Sequence, residues 1–573
     1  MKNFLFAIPA AAVFFILPFV TRITHINPEQ AGRSAAAEVI GCGVPPAYDI
    51  RVAADGKFIP LLPGLGHYSY KVSSTSDSTQ IYFNQGLNFY FSYHFREARA
   101  SFKEATRFDK NSAMAWWGQA LSMGPYFNTY YYKMDKEVQP VLQTMIACTG
   151  MTAKEKALVH AMEQRYSADN TNGDRPLLDS QYAAAMKELT VRYPDDNAIK
   201  ALYIDAVMLG HKWDFWYPDG QPKSWTPELL VKCKEILKTA PDHPAALHYY
   251  IHLTEASRQP GLALNAAEQL LKQMPGAGHM VHMATHMYQR NGLYARGVTV
   301  NEAANTVNNQ VDAAAPNLGI GQDKLIHVYA VQSFCALNAG MYDRAIPLYT
   351  RARDRVAALT PAIRQDAGAQ EIFMLPVIAM VRAGKWQGIT ASPAPDSTWV
   401  FACLLDNFSK GMAAVRNKET VIAGRYLLRI QAHLQDSILQ PRTMPFNAPV
   451  QCGRIAAGIL QASIYGAEQQ YGKAQQSFMQ ALNEEDQLIY REPQEWKLPV
   501  RQYLGALLLQ TKRPAAAEKI YREDLERNPG NGWSLIGLYQ SLLAQHKSSA
   551  AKYKTLYRAA FQDADNMPGS SVF

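Results

Sequence analysis

The sequence predicts an all-α chain, a solenoid of stacked antiparallel helix pairs with a degenerate middle section. Three observations carry that prediction. His248 and His252 recur as His282 and His286, a step of 34 residues, the length of two short helices with their turns. Small and aromatic residues return at fixed helical spacing in three separate stretches. Tyr193-Pro-Asp-Asp, Ala240-Pro-Asp-His-Pro, Met274-Pro-Gly-Ala-Gly and Asn528-Pro-Gly-Asn each read as the stop of one helix and the start of the next. At 573 residues the chain also exceeds a single compact core, which favours an array.

Taken in order, Lys2 and the apolar run 4–20, closed by Thr21-Arg22, read as an export signal, and residues 1–25 are assigned to it. The run is 17 residues, the short limit for a spanning helix, so an uncleaved anchor is the alternative. Ala35-Ala36-Ala37 is the nearest small-residue cluster. Val39-Ile40-Gly41-Cys42 resembles a bacterial lipoprotein box, displaced about twenty residues beyond the run. No other stretch reads as a membrane span, so the expected location is extracytoplasmic, periplasmic or secreted.

Residues 26–78, with Pro45, Pro46, Pro60 and Pro63, are expected as an extended segment laid on the first helices. Residues 79–360 form the N-terminal array. In its first unit Gly86 lets two helices approach, Phe89 packs beneath it, Ala98 sits at the tight crossing, and Phe102 and Ala105 follow at helical spacing. The loop from His211 to Gly220 interrupts the array with Trp213, Phe215 and Trp216, and Trp225 follows. Its residues either cap a helix pair or form a lid. Trp116-Trp117 reads as core. A second insertion is expected over 308–321. Ala345, Tyr349 and Ala352, after Gly340 and Tyr342, mark a further unit. Residues 361–450 carry a weak signal, read as degenerate helical pairs with a loop at 386–399. Gly505, Leu508, Ala517, Tyr521 and Pro529 restore the pattern in the C-terminal part, 451–573.

These sets resemble the tetratricopeptide repeat, with Lys110 standing where that consensus has proline. The resemblance implies a right-handed superhelix whose concave groove receives ligands. A narrower likeness, to a group of exported bacterial tetratricopeptide proteins without a settled activity, is carried by motifs spread in order over 83–537. They are Phe83-Asn-Gln-Gly-Leu, Met114-Ala-Trp-Trp-Gly, Leu247-His-Tyr-Tyr-Ile-His with Glu255-Ala-Ser, Gly278-His-Met-Val-His-Met-Ala-Thr-His-Met-Tyr-Gln-Arg290, and Asn531-Gly-Trp-Ser-Leu.

The net charge of +8 is dispersed without a basic run, which argues against a nucleic-acid partner. Six cysteines, Cys42, Cys148, Cys233, Cys335, Cys403 and Cys452, show no CxxC, and no pairing is assigned.

The histidines carry the candidate site. Six of the chain's 14 fall between His243 and His286. Within their helices His248, His252, His279, His282, His286 and His327 share one stripe, about 130° around from the packing stripe. Glu255 and Asp205 fall on the same stripe, so stacking would align Asp205, His252 and His286. By the family resemblance that stripe faces the groove, with Trp213, Phe215, Trp216, Trp225 and Arg290 as groove or lid residues.

Imidazoles with carboxylates suit a divalent transition metal, zinc or copper, and pairs at i, i+3 or i, i+4 present two nitrogens together. Glu255 is the one candidate general base. The glutamate of HExxH is missing, as are a phosphate-binding GxxxxGK and a GxSxG elbow, so no reaction is assigned. Two functions stay open. One is an exported scaffold binding a protein, peptide or small ligand in the groove, which is the first expectation and needs no catalysis. The other is a metalloprotein built on His248, His252, His279, His282 and His286. Histidines satisfied by carbonyls, tyrosines or each other are the structural alternative to both.

A reporter fused after residue 60 should be active only outside the cytoplasm. Activity confined to the cytoplasm would overturn the export signal, and a lipid on Cys42 in the mature protein would identify the lipoprotein box as real.

Overall fold

The computed structural model describes residues 50–128, 132–169, 171–318, 325–359, 363–442, 444 and 446–573. The expected leader, Ala35–Ala37 and Cys42 lie outside the described residues. Among those described there are 24 α-helices and no strand, with two isolated bridges at Trp216–Pro222 and Met444–Asn447. No helix among them is long and apolar enough to cross a membrane.

Successive helices pack as antiparallel neighbours through tight turns of one repeated form. Asp77–Phe91 leads to Phe95–Phe108, Gly278–Arg290 to Tyr294–Ala314, and Val500–Gln510 to Pro514–Arg527. Each turn needs one residue of positive φ two places past the helix end. Glycine supplies it at Gly292, Gly340 and Gly384, where the left-handed backbone is free of a Cβ clash. Elsewhere Tyr93, Lys418, Gln469 and Lys512 occupy it.

The Pro-Asp and Pro-Gly punctuation marks the helix starts. Asp196 accepts from the Ile199 amide at 3.1 Å, His243 from Ala246 at 3.4 Å, and Asn531 from Trp533 at 3.0 Å. These are N-caps, satisfying amides that have no partner inside the helix. His243 is thereby spent as a cap, 4.4 Å from the ring of Tyr68.

Residues 50–76 run without helix over the first pair. Ile59, Leu65 and Val72 are buried there, and side chains of the first helix bind the segment's backbone. Gln85 accepts from Leu62, Asn84 from Tyr70, and Gln80 from Val72. Apolar residues form three cores, over 50–318, over 367–550, and a third joining 294–379 to 533–561. Cys148, Cys233, Cys335 and Cys452 are buried and unpaired, and Cys403 is half-buried and unpaired. Trp117 is core, while its half-buried neighbour Trp116 donates to the Lys110 carbonyl.

Two boundaries differ from expectation. The helix Tyr294–Ala314 runs into the expected insertion, because Asn308–Ala315 holds three alanines and no breaker before Pro316. Residues Trp386–Ala391, expected as loop, are helical up to Ser392-Pro393.

An ordinary solenoid keeps each repeat against its neighbours. Here the last helices return to the middle of the array. Arg290 donates to the Arg527 carbonyl at 3.2 Å, Asn531 to the Tyr294 hydroxyl at 3.1 Å, and the Asp565 amide to the Gly340 carbonyl at 3.1 Å.

A Cβ on Gly86 would lie 2.7 Å from the ring of Phe102. Gly86→Ala gains at most about 1 kcal/mol of helix propensity and forces the ring aside at about 1–3 kcal/mol. A net loss of up to about 3 kcal/mol is expected in urea unfolding, with raised stability as the contrary result.

Candidate metal centre

Three helices carry the histidines: Pro244–Glu255, Gly278–Arg290 and Leu325–Asn338. Helical spacing puts His248 and His252 one turn apart, and likewise His282 and His286. The first residues of the following helix then complete each pair. His248 Nε2 lies 3.1 Å from His252 Nε2 and 3.1 Å from His279 Nε2. His282 Nε2 lies 2.9 Å from His286 Nε2 and 3.1 Å from His327 Nε2. Two sets of three imidazoles result, in each of which the ligand atoms lie within 4.8 Å of one another. All six side chains are between 0 and 4 % exposed.

The outer nitrogens fix the ring orientations. His248 Nδ1 is 2.7 Å from the Phe91 carbonyl, which accepts its proton and leaves Nε2 bare toward the other rings. His282 Nδ1 is 2.6 Å from Asn301 Oδ1, the equivalent contact one repeat later. His286 Nδ1 is 2.8 Å from Glu492 and 3.9 Å from Glu255. His252 Nδ1 is 3.7 Å from Glu255 and has no hydrogen bond. His252, Glu255 and Glu492 form a third close set. Both Glu255 oxygens are buried, with the Tyr490 hydroxyl as their side-chain hydrogen-bonding neighbour.

Hydrogen bonding alone leaves these groups short. A neutral imidazole whose Nδ1 proton is committed offers one Nε2 lone pair. His248 and His282 each face two further ring nitrogens with that one lone pair. Three nitrogens about 2.0–2.1 Å from a tetrahedral ion stand about 3.3 Å apart, close to the separations from His248 and from His282, while the third separation in each set lies within 4.8 Å.

Aromatic rings close the cluster. Tyr93 lies 4.5 Å from His248 and stacks on His252 and His279 at 5.9 and 5.5 Å. Trp213 meets His252 edge-on at 5.4 Å and Phe127 does so at 5.1 Å. Tyr93 and Trp213 both hold positive φ, so two strained turn positions place rings on one histidine.

The histidine stripe therefore lies inside the molecule, where an open groove had been expected. The chain itself fills the space, with Phe91 to Phe95 on one side and Tyr490 to Glu492 on the other. Asp205 is outside all three sets, because the Tyr90 hydroxyl donates to it at 2.6 Å. Of the expected lid, Trp213 walls the cluster and buried Phe215 packs behind it on Phe127 at 5.5 Å. Trp216 donates to the Leu253 carbonyl at 2.7 Å. Trp225 stacks on His211 at 3.7 Å and braces the loop's own base, away from the histidines. Arg290 donates to the carbonyls of Glu255 and Ser257 at 2.7 and 3.1 Å, clamping the end of the first histidine helix.

Sequence reading missed Phe91, Tyr93, His94, Asn301 and Glu492. His94 accepts from the His279 amide at 3.3 Å and contacts Glu97 at 2.6 Å, capping the second histidine helix. Asn301 had a signal, a polar residue on the packing stripe. Glu492 had a weaker one, the long 487–499 connection between two helices of the array.

Burial pushes His248 and His282 down to about 3. It also drives His252 and His279 well below the usual range, helped by neighbouring imidazoles. Burial opposes protonation of His286, yet Glu492 and Glu255 outweigh it and raise its pKa. Burial, then the Glu492 charge, lifts the Glu255 carboxyl to about 8. Unfolding below pH 6.5 protonates His248 and His282, which the folded state keeps neutral down to about 3. Their stabilisation is complete above 6.5 and is lost as pH falls, together about 3 kcal/mol per pH unit. Histidine NMR titration of chelator-treated protein should find His248 and His282 still neutral at pH 5; protonation of either between pH 5 and 7 would contradict neutral burial.

No protein-family model matches the chain, and a comparison with curated proteins finds no relative. Among solved structures it is similar to the human IFIT1 dimer with m7Gppp-AAAA, at 11 % identity over 86 % of this chain and 92 % of that one, with a TM-score of 0.28. It is also similar to the APC/C hetero-tetramer Cut9–Hcn1, at 12 % identity over 85 % and 76 %, TM-score 0.27. Yeast Tom70 matches at 10 % over 85 % and 90 %, TM-score 0.26. The architecture stated above, an all-α solenoid of the tetratricopeptide type, rests on the chain's own helices and turns.

Proposed function

We propose that this chain is a metalloprotein that holds zinc or copper ions in the enclosed histidine cluster, at two neighbouring positions of three imidazoles each. The shortage of lone pairs around His248 and His282 carries the reading, because a cation takes one lone pair from each of three converging nitrogens where hydrogen bonds must share a single one. The all-imidazole sets fit borderline metals, and three protein ligands leave a position at which water is activated.

Glu255, the candidate base, stands on the Nδ1 side of His252 and His286. In this reading it and Glu492 balance charge and orient rings. A scaffold reading would seat its ligand on the histidine stripe, whose burial favours the metal instead. Solenoids also bind proteins, and that role would fall to the outer helix faces. The export expected from Lys2 and the run 4–20 completes the proposal.

Elemental analysis of purified protein should find about two ions per chain, one for each triad. His282→Ala with His286→Ala should remove about one of them while leaving helicity in circular dichroism. Glu492→Gln should weaken affinity about ten- to hundred-fold. Wild-type protein that carries no ion and takes up none on titration with zinc or copper would end the metal reading.

A further inference from the structure

A cavity of about 140 Å³ lies beside the cluster. Three distant stretches build it: Trp213 and Trp216 from the aromatic loop, Arg258 and Arg290 from around the histidine helices, and Tyr490 with Arg527 from the C-terminal part. Trp213 belongs both to its wall and to the rings around His252. Arg290 lies 5.0 Å over the Tyr490 ring.

Four arginines and four acids line the space, but their commitments differ. Asp486 is held by Arg501 at 2.7 and 2.8 Å and shared with Arg527 at 3.1 Å. Glu495 is paired with Arg491 and accepts from Asn447, while Asp524 accepts from the neutral Ser534 and Asn528 and keeps its charge. Glu485 accepts from the Val500 amide, and desolvation lifts its carboxyl to about 8, so it carries little charge at neutral pH. Arg258 donates to the Pro218 carbonyl at 2.6 Å, and Arg290 donates to carbonyls. Neither makes an ion pair among the described residues. Two guanidiniums held by carbonyls, and a third sharing its acid, outnumber the one charged acid that no cation pairs among the described residues, Asp524, and leave the cavity with net positive charge.

We propose that the cavity binds a small aromatic carboxylate, its ring against Trp216 and Tyr490 and its carboxylate on Arg258 and Arg527. A guanidinium fork matches a carboxylate, aromatic walls favour a planar ring, and a volume of this order accommodates a benzene-sized molecule. The inference is independent of the metal reading, since none of its recognition groups belongs to a histidine triad.

The test is calorimetric titration of the full chain with benzoate and, separately, with inorganic phosphate. Saturable benzoate binding, tighter than phosphate, is expected. Arg258→Gln should weaken it about tenfold or more, with Arg258→Lys falling between. Arg258 is half-buried at a loop, and circular dichroism of both variants checks that they fold. No saturable benzoate binding at millimolar concentration overturns the proposal. So does undiminished binding by folded Arg258→Gln, or phosphate binding more tightly than benzoate. Metal content measured in the same samples tells failure of this site from failure of the metal reading.

Discussion

Six imidazoles and two carboxylates are enclosed where water does not reach them, and the rest of the architecture answers to that constraint. Polar groups buried without partners are costly, and buried charges more so. Three successive helix pairs bring the rings together, but they leave the outer nitrogens and the open side of the stripe unfilled. The N-terminal part supplies the Phe91 carbonyl, the Tyr93 ring and His94. The C-terminal part supplies Glu492, separated by 206 residues from its contact His286. Closing the array on itself is thus tied to the chemistry of its centre, which is why the solenoid does not stay open.

The two triads are one design used twice. His248 and His252 shift by 34 residues to His282 and His286, while His279 maps to His327, 48 residues on. The difference of 14 equals the expected insertion 308–321, part of which lengthens the helix Tyr294–Ala314. The extra chain lies between helices, so the third ligand still arrives at the start of the next histidine helix. Glu255 sits between the copies, within 4 Å of an Nδ1 from each. This juxtaposition couples the electrostatics of the two positions, and His286, which meets Glu492 as well as Glu255, is displaced upward where His248, His252, His279 and His282 are displaced downward.

Glu492 reaches the cluster on a connection held by a second buried network. Arg491 contacts Glu371 at 2.6 Å and Glu495 at 3.2 Å, and Lys497 contacts Glu371 at 3.1 Å. Buried ion pairs of this kind add little net stability, but breaking one leaves a stranded charge. Their effect here is placement: residues 490–497 are anchored to helix Ala367–Arg382, and Tyr490 and Glu492 are thereby presented to the histidines. The same connection floors the arginine-lined cavity, so both sites depend on one anchored segment.

Helical periodicity is a local property, and the sequence by itself determined what is local. It specified the all-α repeat, the packing roles of Gly86 and Phe102, the helix stops and starts at Tyr193-Pro-Asp-Asp and Asn528-Pro-Gly-Asn, and the stripe shared by the six histidines and Glu255. Those follow from 3.6 residues per turn and from the 34-residue step. It misplaced Asp205, because the residue that claims that carboxylate, Tyr90, lies 115 positions away. It also read the stripe as an open groove, since nothing in a repeat announces that its concave side is filled. Only the tertiary structure decided burial, the convergence of Nε2 atoms, and the partnership of Phe91, His94 and Glu492. Those depend on contacts between distant parts of the chain, whose register is set by the packing of the whole array and by no single segment.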